Sequence, residues 1–312
     1  MLKKHIILFL FTIIAVVPFS YGQEVVIFKV EDFDLKGSVK SSLVITDYGK
    51  EEYYFDETGK LTKSVTRFND SDYETTFYKY NGSDLVERRV ENYRDNTFDS
   101  ATSLANFYTI DTTANRKIIE KIISYEKELL EQNIFLYDEE GKLVNIERTN
   151  TNGTDEHTFV YSEGEGETTV RQERNGVLLE TIQTLKSKSE TDSLQKKVLT
   201  QKYLDGQLST KTVQVFGPKE KLLSQTEEFY DASTEKWIPQ ENLKYTYTEN
   251  GVLANIETEQ RGYTRMKEYI YQFDGTDANN WVKEIVTPDN TYKTRRITYY
   301  EIPVAEQTDE EN

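Results

Sequence analysis

The stretch that decides the fold spans residues 133–147 and reads NIFLYDEEGKLVNIE. A shift of 110 residues, from 133 to 243, places it on residues 243–257, LKYTYTENGVLANIE. The match continues without a gap to Tyr161 in one copy and Tyr271 in the other. An earlier copy begins at Phe55 and is one residue longer between its landmarks. Such internal repetition predicts one supersecondary unit that is used several times.

Each copy has the pattern of a β-hairpin. Phe135 and Tyr137 lie two positions apart and project to one face of a strand. Asp138 suits the first position of a type I turn, and Gly141 suits the last, where a positive φ is often needed. The chain then returns through a half-polar strand that begins at Leu143. The predicted structural residues of the repeat turns are Asp56, Gly59, Leu61, Asp138, Gly141, Leu143, Gly251 and Leu253.

These hairpins predict an all-β protein, an antiparallel β-meander that forms an extended twisted sheet or an open barrel-like array. Closure is left open, because hairpins in series satisfy the same alternation in a barrel, in two packed layers or in one long sheet. Residues 118–130 could form an amphipathic helix. However, residues 127–132 resemble residues 220–225, which follow Gly217 and Pro218, so a turn and a strand are favoured. The polar stretches 94–116 and 186–198 are either long loops or boundaries between sub-domains.

The amino terminus has the pattern of a cleavable secretory signal peptide. Lys3 and Lys4 precede an apolar run over residues 6–17, and the small residues Ser20 and Gly22 follow. The run is shorter than the roughly 20 residues that a membrane-spanning helix needs, and no later stretch is apolar enough for one. We therefore predict a signal peptide at 1–22, a hairpin array at 23–300 and an acidic disordered tail at 301–312. The mature protein is expected to be exported to the periplasm, the cell surface or the medium, without a transmembrane helix.

Composition limits the chemistry and the partners of the mature chain. Cysteine is absent, which excludes disulfides, thiolate metal sites, thiol nucleophiles and a lipid-modified cysteine. Removal of Lys3 and Lys4 leaves 38 − 2 = 36 cations against 55 acids, a net charge of −19. Nucleic acid and anionic membranes are poor partners for such a chain as a whole. The 22 tyrosines and 15 phenylalanines supply the apolar area for a core.

The catalytic and metal-binding candidates have simpler structural explanations. His157 is the one histidine of the predicted mature chain, and its counterpart in the other copy is Lys267, so a catalytic triad is not expected. Residues 163–167 alternate glutamate with glycine, as in a solvated turn. The acids at 70–72 and 274–277 fit turns and no known calcium loop. We predict no enzyme, no cofactor and no metal site.

Two tryptophans are candidate ligand contacts. Trp237 and Trp281 lie near turn residues, where exposed aromatic side chains often bind sugars or peptides. Packing against a neighbouring hairpin is the favoured explanation for both.

The repeat resembles a known family. Tyr137-Asp138 with Gly141 and Leu143, and Phe55-Asp56 with Gly59 and Leu61, resemble the YD repeats of Rhs-type secreted and surface proteins of bacteria. The chain also looks like uncharacterised exported proteins of Bacteroidota. Thr248 replaces the repeat aspartate in a further copy, and nothing resembles the self-cleaving Rhs core. The resemblance implies an envelope location and an antiparallel hairpin sheet, and it implies no activity.

Three functions are compatible with these features. The leading hypothesis is a non-enzymatic envelope protein whose hairpins present a surface for a protein or glycan, because repeats supply area and no pocket. A secreted carboxylate-dependent hydrolase is the alternative, and it would need converging acids. An outer-membrane β-barrel is placed last, because charged residues such as Lys142 and Glu147 interrupt the apolar band that lipid requires.

Overall fold

A computed structural model describes residues 25–188 and 194–301 of the chain. The predicted signal peptide, 1–22, and residues 302–312 of the predicted acidic tail lie outside the described residues. The described residues form a sheet of 20 strands. Two short 3-10 helices, Val30–Phe33 and Pro218–Glu220, accompany it.

The strands follow one another along the chain as β-hairpins. The first ten are β1 (Val39–Thr46), β2 (Gly49–Phe55), β3 (Leu61–Arg67), β4 (Tyr73–Asn81), β5 (Asp84–Arg94), β6 (Thr97–Asp111), β7 (Lys117–Ser124), β8 (Leu129–Tyr137), β9 (Leu143–Asn150) and β10 (Gly153–Gly164). The second ten are β11 (Glu167–Arg174), β12 (Val177–Lys188), β13 (Leu194–Leu204), β14 (Gln207–Phe216), β15 (Leu222–Asp231), β16 (Lys236–Tyr247), β17 (Leu253–Gln260), β18 (Tyr263–Phe273), β19 (Trp281–Thr287) and β20 (Thr291–Tyr299).

The sheet closes on itself. Each strand pairs antiparallel with the next, and β1 pairs with both β2 and β20. Ser42 of β1 lies opposite Tyr53 of β2 and opposite Ile297 of β20. The predicted all-β antiparallel meander is confirmed, but the sheet is a closed barrel and not an extended or open array. The sequence could not decide this, since alternation of side chains is the same in an open and a closed sheet.

Residues 118–130 belong to β7, the following turn and the start of β8, so the helical alternative is wrong. Ile118 and Ile122 project to one face of β7, while Ile119 projects to the other. Ile118 lies opposite Phe135 of β8 and is fully buried. Because β7 carries isoleucines on both faces, their combined spacing along the sequence resembles that of an amphipathic helix.

The two polar stretches also contain strands. Most of the first is β6, a strand of 15 residues that pairs with β5 and β7. The second contains the end of β12 and the start of β13, and residues 189–193 between them lie outside the described residues. Polar side chains on both faces of β6 hide its alternation, which explains why a long loop remained possible.

Most buried side chains lie on one face of the wall, which we call the inner face. Ile118, Phe135 and Val170 on this face are 0%, 4% and 2% exposed. A closed wall encloses side chains on its concave side, whereas burial on the convex side needs cover from neighbouring side chains, as at Val65, which is 3% exposed. Cross-strand register carries this face around the barrel, for example from Val170 on β11 to Ile182 on β12.

The segment before β1, residues 25–38, runs along the inner face. Val25 packs against the cluster formed by β7–β11, and Phe33 lies against Tyr53 of β2, with ring centroids 4.4 Å apart. The Leu61 N–H donates to the Phe28 carbonyl at 2.9 Å. One short segment therefore joins strands from several parts of the barrel.

Asn280 anchors the end of that segment. Its amide group donates to the Lys36 carbonyl and accepts from the Lys36 N–H, each at 2.8 Å. It also donates to the Tyr299 hydroxyl at 2.8 Å. Asn280 is only 2% exposed, and its amide bonds join the segment to the loop before β19 and to β20.

A recurring contact ties each of three turns to a later strand. The Tyr161 hydroxyl on β10 donates to the Leu143 carbonyl at 2.8 Å, and the Lys142 ammonium lies 5.6 Å from the Tyr161 ring centroid. The same lysine, leucine and tyrosine contacts occur in Lys60, Leu61 and Tyr80, and in Lys221, Leu222 and Tyr247. Burial raises the pKa of Tyr247 to about 12, so its hydroxyl keeps its proton and remains a donor. The repeated leucine thus marks the acceptor of a tyrosine hydrogen bond.

Candidate functional site

The face opposite the buried one, the outer face, carries two rows of aromatic and cationic side chains on β2–β6. Side chains of one row lie opposite each other on successive strands. The first row is Tyr54, Lys63, Phe77 and Arg89, and the second is Lys50, Arg67, Tyr73, Tyr93 and Phe98. We call these nine residues the outer patch.

Cations of the outer patch lie over its aromatic rings. The Lys63 ammonium is 4.8 Å from the Tyr54 ring centroid and 5.9 Å from that of Phe77. The guanidinium of Arg67 lies 4.8 Å from the Tyr73 ring, and that of Arg89 lies 5.0 Å from the Phe77 ring. These distances are within the roughly 6 Å range of cation–π attraction. The rings and cations therefore form one connected surface.

A chain of ring contacts extends the second row to β7. Tyr73 and Tyr93 stack with centroids 4.5 Å apart, and Phe98 meets Tyr93 edge-on at 5.7 Å. Tyr125, just beyond β7, continues the chain at 4.7 Å from Phe98 and is 60% exposed. Phe68, next to Arg67, is 63% exposed. Apolar ring surface is thus open to solvent along one end of the barrel wall.

Two glutamates hold the rows in place. Glu52 accepts from the Tyr54 hydroxyl at 2.6 Å and from Arg67 Nε at 2.8 Å. Glu91 accepts from the Tyr93 hydroxyl at 3.1 Å and forms an ion pair with Arg89 at 3.2 Å. Burial alone would raise the pKa of Glu52, but the hydrogen bonds from Tyr54 and Arg67 and the charge of Arg67 lower it overall. Glu52 is therefore ionised at neutral pH and keeps both partners oriented.

The charge of this part of the wall differs from that of the whole chain. On β2–β5 the outer face carries five cations and four carboxylates: Lys50, Lys63, Arg67, Lys79 and Arg89 against Glu52, Asp84, Glu87 and Glu91. On β9–β11 it carries one cation and four carboxylates: Arg171 against Glu147, Glu156, Glu167 and Glu173. An acidic protein therefore has a locally cationic, aromatic surface.

The two predicted ligand contacts lie elsewhere. Trp237 is half-buried on the outer face of β16, 5.1 Å from the Tyr230 ring and 4.7 Å from the Lys211 ammonium. Trp281 is only 7% exposed, and the Arg295 guanidinium lies 3.4 Å from its ring centroid. Arg295 in turn donates to the carbonyl of Phe33 at 2.9 Å. The structure does not bring the two tryptophans together, and the Trp281 ring is enclosed by side chains of the protein.

The predicted turn residues occupy hairpin turns. Asp138 Oδ1 accepts from the N–H groups of Glu140 and Lys142, and Gly141 has a φ of +77°. The other members have equivalent places: Asp56 Oδ1 accepts from Thr58 and Lys60, Gly59 and Gly251 have positive φ, and Leu61, Leu143 and Leu253 begin strands. Thr248, which replaces the aspartate, receives the turn bond from Gly251 through its carbonyl.

The remaining chemical candidates form no site. His157 lies opposite Arg174 on β11, and burial together with that positive charge lowers its pKa. Within residues 25–188 and 194–301, no three His, Cys, Asp or Glu side chains are grouped to hold a metal ion. No helix in the same residues is long and apolar enough to cross a membrane.

Comparisons with known proteins add little to this geometry. No family model and no curated protein matches the chain. A crystal structure of a porin-like protein from Bacteroides vulgatus matches with a TM-score of 0.28 and 9% sequence identity. The match covers 85% of this chain and all of that one. A likeness at this score transfers neither fold nor function, so the closed antiparallel barrel itself defines the class of this protein.

The sequence alone did not predict the outer patch. Its rings come from strands on either side of three turns, and only cross-strand register joins them into rows. Tyr93 and Phe98 flank the Asp95-Asn96 turn, within the stretch that the sequence left open as a loop. The available signal was the even spacing of Tyr73, Phe77 and Lys79, which places two rings and a cation on one face of a strand.

Proposed function

We propose that the protein is a non-enzymatic β-barrel of the cell envelope whose wall faces water and whose outer patch binds a protein or a glycan. The proposal rests on the side chains of the outer face, which carries the rings and cations of the outer patch and charged pairs elsewhere. A binding surface on the wall also suits a protein that offers a broad array of strands.

Charged pairs occur on the outward face around the barrel. Arg171 and Glu173 form an ion pair at 2.8 Å on β11, and Lys244 and Glu257 form one at 2.8 Å between β16 and β17. Lys211 and Glu228 pair between β14 and β15. An Arg or Lys on a lipid-facing barrel surface costs about 2–4 kcal/mol at the bilayer midplane. Such a wall favours water as its surroundings.

An outer-membrane β-barrel is the second candidate. The sequence placed it last, but the closure of the sheet into a barrel favours it. Membrane barrels of bacteria have an even number of antiparallel strands in sequence order, and their first and last strands pair. This chain shares both features. For this candidate to hold, the paired charges of the wall would have to lie outside the bilayer core.

Cell fractionation separates the two candidates. We expect the protein in the soluble periplasmic or extracellular fraction, or released from membranes by salt and carbonate washing. Recovery only after detergent extraction would contradict a wall that faces water and would support the membrane barrel.

Affinity purification from the native envelope tests the binding surface. The full chain should capture a stoichiometric protein or glycan, and the variant Tyr93→Ser/Phe98→Ser should not. The matched control Val160→Ser/Met266→Ser removes two exposed apolar side chains from β10 and β18, away from the patch. Equal capture by the patch variant and the control would contradict this assignment of the surface.

A further inference from the structure

We propose that the outer patch recognises an anionic glycan, a chain of sugars that carry carboxylate or sulfate groups. This rests on the proposed function and specifies the ligand of the same surface. Three features of the patch lead to it: its local charge, the freedom of some of its cations, and the alternation of rings with cations.

The local charge is what distinguishes the patch from the rest of the protein. The net charge of −19 after the predicted cleavage repels polyanions at long range, but the Debye length is about 8 Å at physiological ionic strength. The patch crosses five strands, roughly 20 Å at about 4.8 Å per strand. A ligand in contact therefore experiences mainly the five cations and four carboxylates of β2–β5.

Not all of these cations are neutralised by the protein. Arg67 and Arg89 are paired with Glu52 and Glu91, and Lys50 lies 3.8 Å from the Asp70 carboxylate. Lys63 and Lys79, by contrast, have no carboxylate within 4.0 Å among residues 25–188 and 194–301, and Lys63 lies over two rings. Their ammonium groups can therefore bind an anionic ligand without breaking an ion pair within the protein.

The alternation of rings with cations favours a glycan over other polyanions. The C–H faces of a sugar pack on exposed ring surface, such as that of Phe68 and Tyr125 beside the patch, while acidic substituents reach the neighbouring ammonium and guanidinium groups. A single-stranded nucleic acid would use similar contacts. However, the stacked pair Tyr73 and Tyr93 already fill one another's faces, with an interplanar angle of 10°, which leaves ring edges and no slot for a base.

Binding of defined polymers to the purified mature chain tests the proposal. Polygalacturonate, alginate and chondroitin sulfate are the anionic glycans, dextran is the neutral glycan and single-stranded DNA is the other polyanion. We expect binding of at least one anionic glycan, weaker binding as NaCl is raised, and no binding of dextran or DNA at the same concentration.

A pair of charge variants locates the site. Lys63→Gln/Lys79→Gln should weaken binding about five- to tenfold, the loss of two exposed ionic contacts. The control Lys197→Gln/Lys283→Gln removes the same charge from the outer faces of β13 and β19 and should change affinity less than twofold.

Each other outcome overturns the proposal in an identifiable way. Equal binding of dextran would exclude a requirement for charge, and equal binding of DNA would exclude a glycan. Equal loss in the control would show that the patch is not the site. If no polymer binds but the native envelope yields a partner that depends on Tyr93 and Phe98, the anionic glycan is wrong and the proposed binding surface stands. If neither binds, both fail.

Discussion

The Lys142 ammonium lies 5.6 Å from the centroid of the Tyr161 ring, and the hydroxyl of that ring donates to the residue directly after the lysine. This contact joins the turn between β8 and β9 to the end of β10. The same contact occurs at Tyr80 and Tyr247, so the repeated tyrosine ties a turn to a strand further along the chain.

Loss of that hydroxyl should destabilise the barrel. Tyr161→Phe keeps the ring beneath Lys142 and removes only the donor, so the free energy of unfolding should fall by about 1 kcal/mol. Denaturant unfolding measures the change. Tyr125→Phe, at an exposed ring, is the control and should be neutral. An equal loss in both variants would contradict the role of the Tyr161 bond.

Asn280 should control the attachment of the segment before β1. Asn280→Ala removes the part-buried hydrogen bonds to the N–H and carbonyl of Lys36, at a cost of about 1–3 kcal/mol. Amide hydrogen exchange should increase in residues 28–38 more than elsewhere. Asn152→Ala, at an exposed turn, should leave exchange unchanged. Unaltered exchange in Asn280→Ala would show that other contacts suffice to hold the segment.

Barrel closure can be tested by a disulfide, because the chain has no cysteine of its own. Leu43 and Arg296 lie opposite each other on β1 and β20. Paired antiparallel residues have Cα atoms about 4.5–5.5 Å apart, within the range that a disulfide spans. Leu43→Cys/Arg296→Cys should therefore cross-link on mild oxidation, as seen by a mobility shift without reductant. Leu43→Cys/Thr226→Cys, with the second cysteine on β15, should not. Failure of the first pair to cross-link would indicate an open sheet.

Glu52 and Glu180 should respond to pH with opposite signs. The folded-state pKa of Glu52 is lowered below the ordinary 4.5, so its contribution to stability is present above that pH and is lost as pH falls through the lowered value. Burial raises the pKa of Glu180, so its charged form destabilises the protein at neutral pH and this penalty disappears on acidification. At pH 7, Glu52→Gln should lower the melting temperature and Glu180→Gln should raise it. Both differences should shrink below about pH 4. The same sign for both variants at pH 7 would contradict these assignments.

Hairpins were predictable because their signals are local. The Asp138-to-Gly141 turn and the two-residue spacing of Phe135 and Tyr137 specify a turn and a strand within a few residues. Closure was not predictable, because the pairing of Ser42 with Ile297 joins residues that are far apart in sequence and leaves no local pattern. The outer-membrane barrel was ranked last because charged residues interrupt the apolar band, and closure, which favours this barrel, could not be read from the sequence.

The outer patch shows the same limit at the level of a site. Tyr73, Tyr93 and Phe98 meet only when three strands are in register. Trp281 illustrates the limit in another way, because packing was favoured for it but its partners could not be named from the sequence. The ring lies against Arg295 and Tyr271, which belong to other strands.

Pairing of the first strand with the last determines when folding can finish. Hairpins such as β8–β9 can form as soon as their own residues are available, whereas β1 must wait for β20, 297 − 42 = 255 residues later at the Ser42 and Ile297 pair. Contacts of such sequence separation slow folding. During that interval β1 has an unpaired edge that can join a strand of another molecule. A chain of this design therefore has a period of vulnerability to aggregation that lasts until its final strand is available.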